Sequence, residues 1–270
     1  MPELPEVETI RSQLAKKITG KKITGIKILS SKTIKMPAKI FVKKIIGVKI
    51  KKIARRAKLL LFYLSNDLVL VTHLKMTGQY LWRGEKNKHT RVIFKFGLND
   101  WLLFNDMRRF GYLKLLSVME LSKIMNTEYG PEPLDNKFIF KNFQEILNKR
   151  PKMKIKQLLL DQKLIAGLGN IYVQEACFAS GIKPIRSAGS LKKNEAKKLY
   201  QAIKKVLSEA IKCGGSSAVN YLNLFGKEGN FVPRLKVYGH GGEKCRRCGN
   251  ILKTIKLGGR GTVFCEVCQK

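Results

Sequence analysis

The chain has 270 residues, of which 44% are hydrophobic, so a substantial core is expected and a disordered chain is excluded. Its formal net charge of +35 favours a polyanionic partner, most commonly nucleic acid, with a membrane surface or ribosomal RNA as alternatives. The longest apolar run, Leu59–Leu64, is too short to span a bilayer, and the N-terminus lacks the pattern of a secretory signal. We therefore expect a soluble intracellular protein.

The acidic start of this basic chain is its first unusual feature. A helix is predicted from Pro5 to Lys17, because apolar residues recur at helical spacing and proline suits the first helical position. Glu6 and Glu8 also favour the positive end of the helix dipole. The helix does not explain Pro2 and Glu3, which precede it.

A β-rich region is predicted from Ile23 to Leu116. Eight short runs rich in β-branched and aromatic residues alternate there with turn signals such as Ser65-Asn66-Asp67. Strands at this spacing predict a sandwich or a barrel. The stretch EYGPEPLDNKF, Glu128 to Phe138, breaks the pattern and is predicted to be a linker.

Helical periodicity follows the linker. Helices are predicted in FKNFQEILNK, in KIKQLLLDQ and in IYVQEACFAS, the last with Asn170 as its capping residue after the turn AGLGN. A long helix is predicted between a cap at Ser190 and the pair Gly214-Gly215. A Gly-rich loop then leads to the C-terminal cysteines.

Four cysteines near the C-terminus have the spacing of a zinc site. Cys245, Cys248, Cys265 and Cys268 form C-x2-C-x16-C-x2-C, which lies within the range of structural zinc sites. Each C-x2-C turn places two thiolates on one side of a tetrahedron, and the residues between must return as a hairpin. Disulfides are the alternative, but intracellular thiols are normally reduced. One structural Zn²⁺ is therefore predicted.

Three short motifs indicate nucleic-acid contacts, and each has an ordinary structural alternative. The turn before Asn170 exposes N–H groups that can bind an anion, or it simply connects two helices. Arg260 lies at a Gly-flanked hairpin tip, where it can bind a phosphate or be merely solvated. In HLKMTG and NDMRRFG, apolar Met76 and Phe110 lie near basic residues, which suits a wedge that fills a DNA stack after a base is extracted. Taken singly, each of these two residues fits a core position better.

Several longer segments characterise the whole chain: PELPEVET, RRAKLLLFYL, THLKMTG, NDMRRFGY, YGPEPL, LLLDQKLIAGLGNIYVQEA, GGSS, VYG-x-x-GEKC-x-x-CG and a final GR-x-T-x-FC-x-x-CQK. Together they closely resemble the bacterial formamidopyrimidine-DNA glycosylases, which excise 8-oxoguanine and ring-opened purines. The resemblance implies an α+β multidomain fold with an N-terminal helix and two-layered β-sandwich, a helix–two-turns–helix domain and a C-terminal zinc-finger β-hairpin. The implied domains are 1–131, 132–236, with a flexible lesion-capping loop at about 214–232, and 237–270.

The resemblance also explains the acidic start. Small Pro2 permits removal of the initiator methionine, and the exposed secondary amine would be partly neutral at about pH 7. The resemblance implies that this amine attacks C1′ of the damaged nucleotide and forms a cationic iminium, with Glu3 as the proton donor. It assigns Lys58 to β-elimination, Arg260 to δ-elimination and phosphate binding, and Glu6 to holding the N-terminus.

A set of DNA contacts is predicted as well. Met76, Arg108 and Phe110 match the family residues that fill the gap left by the everted base. The other predicted DNA contacts are His73, His89, Arg109, Arg150, Lys156 and Asn170. Two positions depart from the family pattern: His240 replaces the usual Arg after VYG, and Thr77 follows Met76 where some members carry Glu. The first departure weakens an expected polar contact near the finger, and the second leaves contact with the damaged base open.

The sequence therefore predicts a bifunctional DNA glycosylase and AP (abasic-site) lyase that flips out oxidised purines from double-stranded DNA, through a Pro2 iminium and β,δ-elimination. It is expected to act as a monomer in the bacterial cytoplasm, associated with the nucleoid and without a membrane partner. An endonuclease VIII-like enzyme for oxidised pyrimidines is the related alternative, although that branch typically reads PEGPE. A non-catalytic zinc-ribbon protein that binds damaged DNA or RNA is the other, and intact Pro2, Glu3 and Lys58 argue against it.

Overall fold

The chain forms two compact units. A computed structural model describes residues 1–218 and 220–270, so position 219 of the expected lesion-capping loop lies outside the described residues. The first unit comprises Met1–Asn126 and Cys213–Asn230, and the second comprises Thr127–Lys212 and Phe231–Lys270. Packing units need not coincide with domains, so the three domain ranges implied by the resemblance stay a prediction.

The first unit begins with helix α1, Leu4–Ile18, which confirms the predicted helix. Pro5 lies in its first turn, where Glu3 and Glu6 form a reciprocal capping box. The apolar side chains at helical spacing are fully buried: Val7, Ile10, Leu14 and Ile18. The helix thereby anchors the residues that precede it to the core.

Two four-stranded antiparallel sheets form a β-sandwich in this unit. The strands are β1 (Gly25–Ile28), β2 (Ile50–Arg56), β3 (Leu59–Leu64), β4 (Leu68–His73), β5 (Gly78–Trp82), β6 (Thr90–Lys95), β7 (Trp101–Asp106) and β8 (Tyr112–Ser117). One sheet has the order β1-β6-β7-β5 and the other β2-β3-β4-β8. Their apolar faces share one core with α1, in which the rings of Phe62 and Tyr80 from opposite sheets lie 5.7 Å apart between centroids. The predicted strands therefore form a sandwich.

Two helices in or beside the β-rich region were not predicted. Helix α2, Ala38–Ile45, buries Phe41 and Ile45, and helix α3, Val118–Glu128, buries Leu121. In α2 the apolar residues form a continuous run, IFV, and such a run is equally compatible with a buried strand. A short helix of this kind has too few turns for its period to be read.

The second unit is helical before its hairpin. Its helices are α4 (Phe140–Lys149), α5 (Ile155–Leu160), α6 (Asn170–Ser180) and α7 (Lys193–Lys212), of which α5, two turns and α6 form the helix–two-turns–helix element. Two predicted caps are wrong. Gly169 is the N-cap of α6, and the Asn170 side chain instead donates to the Gly261 carbonyl (3.4 Å). Ser190 ends a short 3-10 helix, and the start of α7 is capped by Glu195, whose carboxylate accepts the Lys192 N–H (2.7 Å).

A two-stranded hairpin ends the second unit, with β9 at Lys253–Leu257 and β10 at Arg260–Phe264. Gly258 and Gly259 make its turn with φ of 57° and 74°, a left-handed backbone that glycine adopts without strain. Phe178 of α6 shares a small apolar core with Val263, Cys245 and Cys265, against which Cys268 packs. Across residues 1–218 and 220–270, no helix is both long and apolar enough to cross a membrane.

Candidate active site and nucleic-acid interface

Glu6 holds the N-terminal segment in place from both sides. Its carboxylate accepts the Glu3 backbone N–H (2.8 Å) and the Ser216 backbone N–H (2.7 Å), and both glutamates are almost fully buried. Gly215 has φ of 88°, and a Cβ there would lie 2.9 Å from the Glu6 side chain. A glycine is therefore required where this loop meets α1. The Glu6 carboxylate thus fixes both the backbone at Glu3 and the start of the Gly-rich loop.

The terminal amine lies in an unusual electrostatic environment. Burial lowers the pKa of the Met1 amine, Glu3 and Glu6 oppose that shift, and Lys58 and Arg108 reinforce it. Glu3, to which the resemblance assigns proton transfer, and Lys58, to which it assigns β-elimination, therefore both act electrostatically on the terminal amine. A neutral amine can act as a nucleophile, because its lone pair is not bound to a proton.

Lys58 is presented by the tight turn between β2 and β3. Arg56 pairs with Leu59 across this turn, which leaves Ala57 in the left-handed region at φ of 53°, and Lys58 is 6% exposed. Arg55 Nη1 donates to the Ala57 carbonyl (2.9 Å), and its Nε donates to Glu8 of α1 (2.9 Å). Arg55 thus connects the strained turn that carries Lys58 to the helix behind the N-terminus.

The loop after β7 exposes the predicted wedge. Phe110 is 54% exposed, which excludes a core position, and the Arg108 guanidinium stacks 4.8 Å from its ring centroid. Buried Asp106 organises the loop by accepting the Gly111 N–H (2.6 Å) and the Thr77 hydroxyl (2.5 Å). The Thr77 oxygen in turn accepts the Arg108 N–H (2.9 Å). Thr77 therefore has a structural role in shaping the loop.

His73 and Met76 lie near the β4–β5 turn and are half-buried. Burial lowers the pKa of His73 to about 3, and the charges of Lys75 and Lys58 act in the same direction. His73 Nδ1 accepts the Lys75 N–H (2.9 Å), so the proton of the neutral ring is on Nε2. At neutral pH this histidine can contact DNA as an uncharged donor only.

The other predicted cationic contacts differ in exposure. Arg109, with φ of 58°, is exposed beside Arg108, and His89 is half-buried with its carbonyl bonded to the Asp106 N–H (2.9 Å). Arg150 is exposed at the C-terminal end of α4. Their DNA contacts stay predictions.

In the second unit, a buried lysine ties the Arg260 hairpin to the helix–two-turns–helix element. Lys156 is fully buried, and its Nζ donates to the Gly261 carbonyl (2.9 Å) and the Thr262 hydroxyl (2.6 Å). Gln174 of α6 accepts the Val263 N–H (2.6 Å). Burial lowers the pKa of Lys156 to about 8, with the Arg260 charge acting in the same direction. Exposed Arg260 is thus held over the start of α6, in the same unit as Asn170.

The four cysteines fit a structural zinc. All four sulfurs lie within 4.8 Å of one another, and tetrahedral coordination with Zn–S bonds of about 2.3 Å needs sulfurs about 3.8 Å apart. Backbone N–H groups point at two of them, from Arg247 to Cys245 Sγ and from Cys268 to Cys265 Sγ, both at 3.4 Å. These two hydrogen bonds fix the positions of the sulfurs. One Zn²⁺ held by Cys245, Cys248, Cys265 and Cys268 stabilises the hairpin.

Three family models match the chain in succession. They are the formamidopyrimidine-DNA glycosylase N-terminal domain over residues 1–113, the formamidopyrimidine-DNA glycosylase H2TH domain over 129–221, and the zinc finger found in FPG and IleRS over 242–270. The chain belongs to the formamidopyrimidine-DNA glycosylase family. It is a DNA-repair glycosylase, as the resemblance predicts.

Relatives within this family match over the full length. The formamidopyrimidine-DNA glycosylase of Bacillus cereus is 43% identical, with 100% of this chain and 99% of the relative covered. That of Desulfitobacterium hafniense is 43% identical, with 100% of both chains covered. Among solved structures, Lactococcus lactis Fpg bound to DNA containing an abasic site is 40% identical and superposes with a TM-score of 0.93. The match covers 100% of both chains. The wild-type L. lactis protein bound to DNA containing an oxidised pyrimidine matches with a TM-score of 0.92 at 40% identity and the same coverage.

The sequence did not reveal the residues that hold these side chains in position. Arg55, Asp106 and Gln174 each bond to the backbone of a functional loop. They lie within segments that carry the family resemblance, Arg55 in RRAK, Asp106 in NDMRRFG and Gln174 in GLGNIYVQEA, but the sequence alone assigned them no role.

Proposed function

We propose that this glycosylase excises oxidised purines from duplex DNA and then nicks the strand as an AP lyase. The fixed N-terminal segment is the observation that carries this proposal: Pro2 is buried, and the carboxylate of Glu6 holds the adjacent Glu3 N–H (2.8 Å) as well as the Ser216 N–H (2.7 Å). Removal of the initiator methionine would expose the secondary amine of Pro2 at this fixed position. A secondary amine forms a permanently cationic iminium with a sugar aldehyde.

The proposed chemistry has two stages. The Pro2 nitrogen lone pair attacks C1′ as the bond from C1′ to the base breaks, and the base leaves with a proton. Glu3 then delivers a proton to O4′, and the C1′–O4′ bond opens to give the iminium. The iminium withdraws electrons from C2′, a proton leaves C2′, and the 3′ phosphate departs. A second elimination releases the 5′ phosphate. Lys58 serves the first elimination, and Arg260 serves the second.

The DNA interface is proposed to combine a wedge with cationic contacts. The exposure of Phe110 and its stacking with Arg108 support a role in filling the vacated stack together with Met76. The other proposed DNA contacts are His73, His89 and Arg109 in the first unit and Arg150, Lys156 and Asn170 in the second. Lys156 is fully buried and bonded to the hairpin, so it would act on DNA through the position of Gly261 and Thr262.

Borohydride trapping tests the proposal directly. Reduction of an iminium on a duplex with one 8-oxoguanine should give a covalent complex, and peptide mapping should place it on Pro2. Pro2→Gly should lower trapping sharply while DNA affinity remains, because the amine becomes primary and the entry to α1 loses its proline. A complex mapped to a lysine would refute the assignment to Pro2. Absence of any complex, with DNA binding and base excision intact, would refute the iminium mechanism and the AP lyase activity.

Oxidised pyrimidines are a second candidate substrate class. The observation that favours them is the similar L. lactis protein bound to DNA with an oxidised pyrimidine. Single-turnover excision from matched duplexes should be faster for 8-oxoguanine than for an oxidised pyrimidine such as 5-hydroxycytosine. The reverse order would assign the chain to the pyrimidine branch.

We further propose that the enzyme acts as a monomer in the bacterial cytoplasm. Light scattering of the purified protein can measure its oligomeric state.

A further inference from the structure

A groove of about 870 Å³ in the second unit has no part in the chemistry proposed above. It is lined by the C-terminal end of α6 at residues 178–181, by one face of α7 and by the segments before and within the zinc finger. Asn170 starts α6, and a helix of this length spans about 16 Å. The groove therefore lies at the opposite end of α6 from the end that faces the Arg260 hairpin.

The rim of the groove is cationic. Six basic side chains line it, all of them exposed: Lys198, Lys205, Arg234, Lys236, Arg246 and Arg247. The acidic residues in its lining are Glu175 and Glu209. The Glu175 carboxylate accepts the backbone N–H groups of residues 236–238 at 2.9–3.1 Å, so its charge is already used within the protein. A strong positive potential is thus concentrated in a concave surface.

The floor of the groove is apolar, and one of its cations, Arg247, is fixed in place. Phe178, Ala202, Val206 and Phe231 contribute to the lining and are each at most 8% exposed. Arg247 stacks over Phe178, with its guanidinium carbon 4.4 Å from the ring centroid, and donates to the Phe178 carbonyl (3.3 Å). Cations positioned in this way lose little conformational freedom when they bind a carboxylate.

We propose that this groove binds an acidic peptide segment of a partner protein, with an apolar side chain of the peptide seated on the floor. Charge complementarity identifies the occupant, because a basic rim around an apolar floor matches carboxylates that flank an apolar anchor. The volume lies in the range of sites that enclose a ligand or a short peptide, whereas a DNA duplex needs a longer open surface. The site would attach the repair enzyme to a partner without covering the end of α6 that faces the Arg260 hairpin.

Fluorescence anisotropy with a defined probe tests the proposal on the intact zinc-loaded protein. The probe is a fluorescein-labelled peptide of Asp residues with a C-terminal Phe, and a second peptide carries Ser in place of the Phe. The groove variant is Lys198→Gln with Lys205→Gln, and the matched control is Lys193→Gln with Lys197→Gln. Both pairs are exposed lysines of α7, both remove the same charge, and only the first pair lines the groove.

We expect the groove variant to raise the Kd of the Phe-containing peptide about tenfold, because each exposed ion pair contributes modestly. The control should change it less than about twofold, and the Ser peptide should bind more weakly to the wild-type protein. Equal losses in the two variants, or equal affinity for the two peptides, would refute a specific groove. A selective loss of single-stranded oligonucleotide binding in the groove variant, with peptide binding unchanged, would assign the groove to nucleic acid and refute the peptide. Excision of 8-oxoguanine should stay at the wild-type rate in both variants, which separates this test from that of the proposed chemistry.

Discussion

Replacement of Arg55 by alanine should impair strand cleavage although Arg55 is expected to touch neither base nor sugar. The side chain is 10% exposed and bridges Glu8 of α1 and the carbonyl of Ala57. Hydrogen bonds of charged groups contribute about 1.5–3 kcal/mol each when well shielded, and partial exposure reduces that. Ala57, at φ of 53°, stores on the order of 1 kcal/mol of backbone strain. We expect Arg55→Ala to lower the free energy of unfolding by about 2 kcal/mol and to let the turn relax.

Relaxation of this turn would move Lys58. Misplacement of a catalytic group by about 1 Å can cost about 100-fold in rate. Single-turnover assays on a duplex with a preformed abasic site isolate the elimination steps, and there we expect a decrease of about 10- to 100-fold. Base excision from an 8-oxoguanine duplex, which depends on Pro2 and Glu3, should slow less.

Arg11 supplies the matched control. It pairs with the same Glu8 carboxylate but makes no bond to Ala57, so Arg11→Ala should leave elimination near the wild-type rate. Arg55→Lys should recover only part of the activity, since one ammonium cannot reproduce the fork that reaches both acceptors. If Arg55→Ala folds and cleaves an abasic site as fast as Arg11→Ala, the proposed link between this arginine and Lys58 is refuted.

Three further perturbations test other parts of the site. Phe110→Ala should change the free energy of unfolding by no more than about 0.5 kcal/mol, because the ring is exposed. The same substitution should slow excision from duplex DNA at least about tenfold. An unchanged excision rate would exclude the wedge. Cys245→Ser should release the zinc, which a colorimetric chelator measures. The affinity for lesion DNA should fall, while the circular-dichroism signal of the β-sandwich remains. Full affinity in the metal-free variant would contradict the role of the hairpin in DNA binding. His73 has its pKa depressed to about 3, so its contribution to stability is present above about pH 6.5 and is lost as pH falls towards 3. His73→Asn should therefore flatten the fall of Tm between about pH 6.5 and 4, and a parallel fall in both proteins would show that other groups cause it.

The elements that were predicted well are those whose patterns are local. The helix α1 combines apolar spacing with a proline start, the strands are separated by clear turn residues, and the zinc site depends only on cysteine spacing. Each of these signals can be recognised within one short segment of the sequence. The two wrong caps at Asn170 and Ser190 show the limit. The Asn170 side chain donates to Gly261 of the distant hairpin, and the carboxylate of Glu195, three residues further on, accepts the Lys192 N–H at the start of α7.

The contacts that shape the site were beyond sequence reasoning because they join distant segments. Asp106 and Thr77 are 29 positions apart, and Lys156 and Gly261 are 105 apart. Hydrogen-bond partners at such separations are set by the packing of whole sheets and helices, and no period in the sequence records them. Thr77 illustrates the consequence: as a departure from the family it put a base contact in doubt, whereas the fold gives it a role in holding the Arg108 backbone.

The two turns that present the cations proposed for elimination are built in the same way. Lys58 follows Ala57 in the left-handed backbone of the β2–β3 turn, and Arg260 follows two left-handed glycines at the hairpin of the other unit. In each case a shielded cation behind the turn donates to a carbonyl of the turn or its flank, Arg55 to Ala57 and Lys156 to Gly261, both at 2.9 Å. A flexible lysine or arginine loses considerable rotamer entropy when it is placed beside a phosphate. Hydrogen bonds to the carbonyls of a tight turn reduce this entropy loss, because the backbone from which the lysine or arginine side chain extends is already fixed. We therefore expect loss of either holding cation, Arg55 or Lys156, to impair the proposed elimination although neither is assigned a step in it.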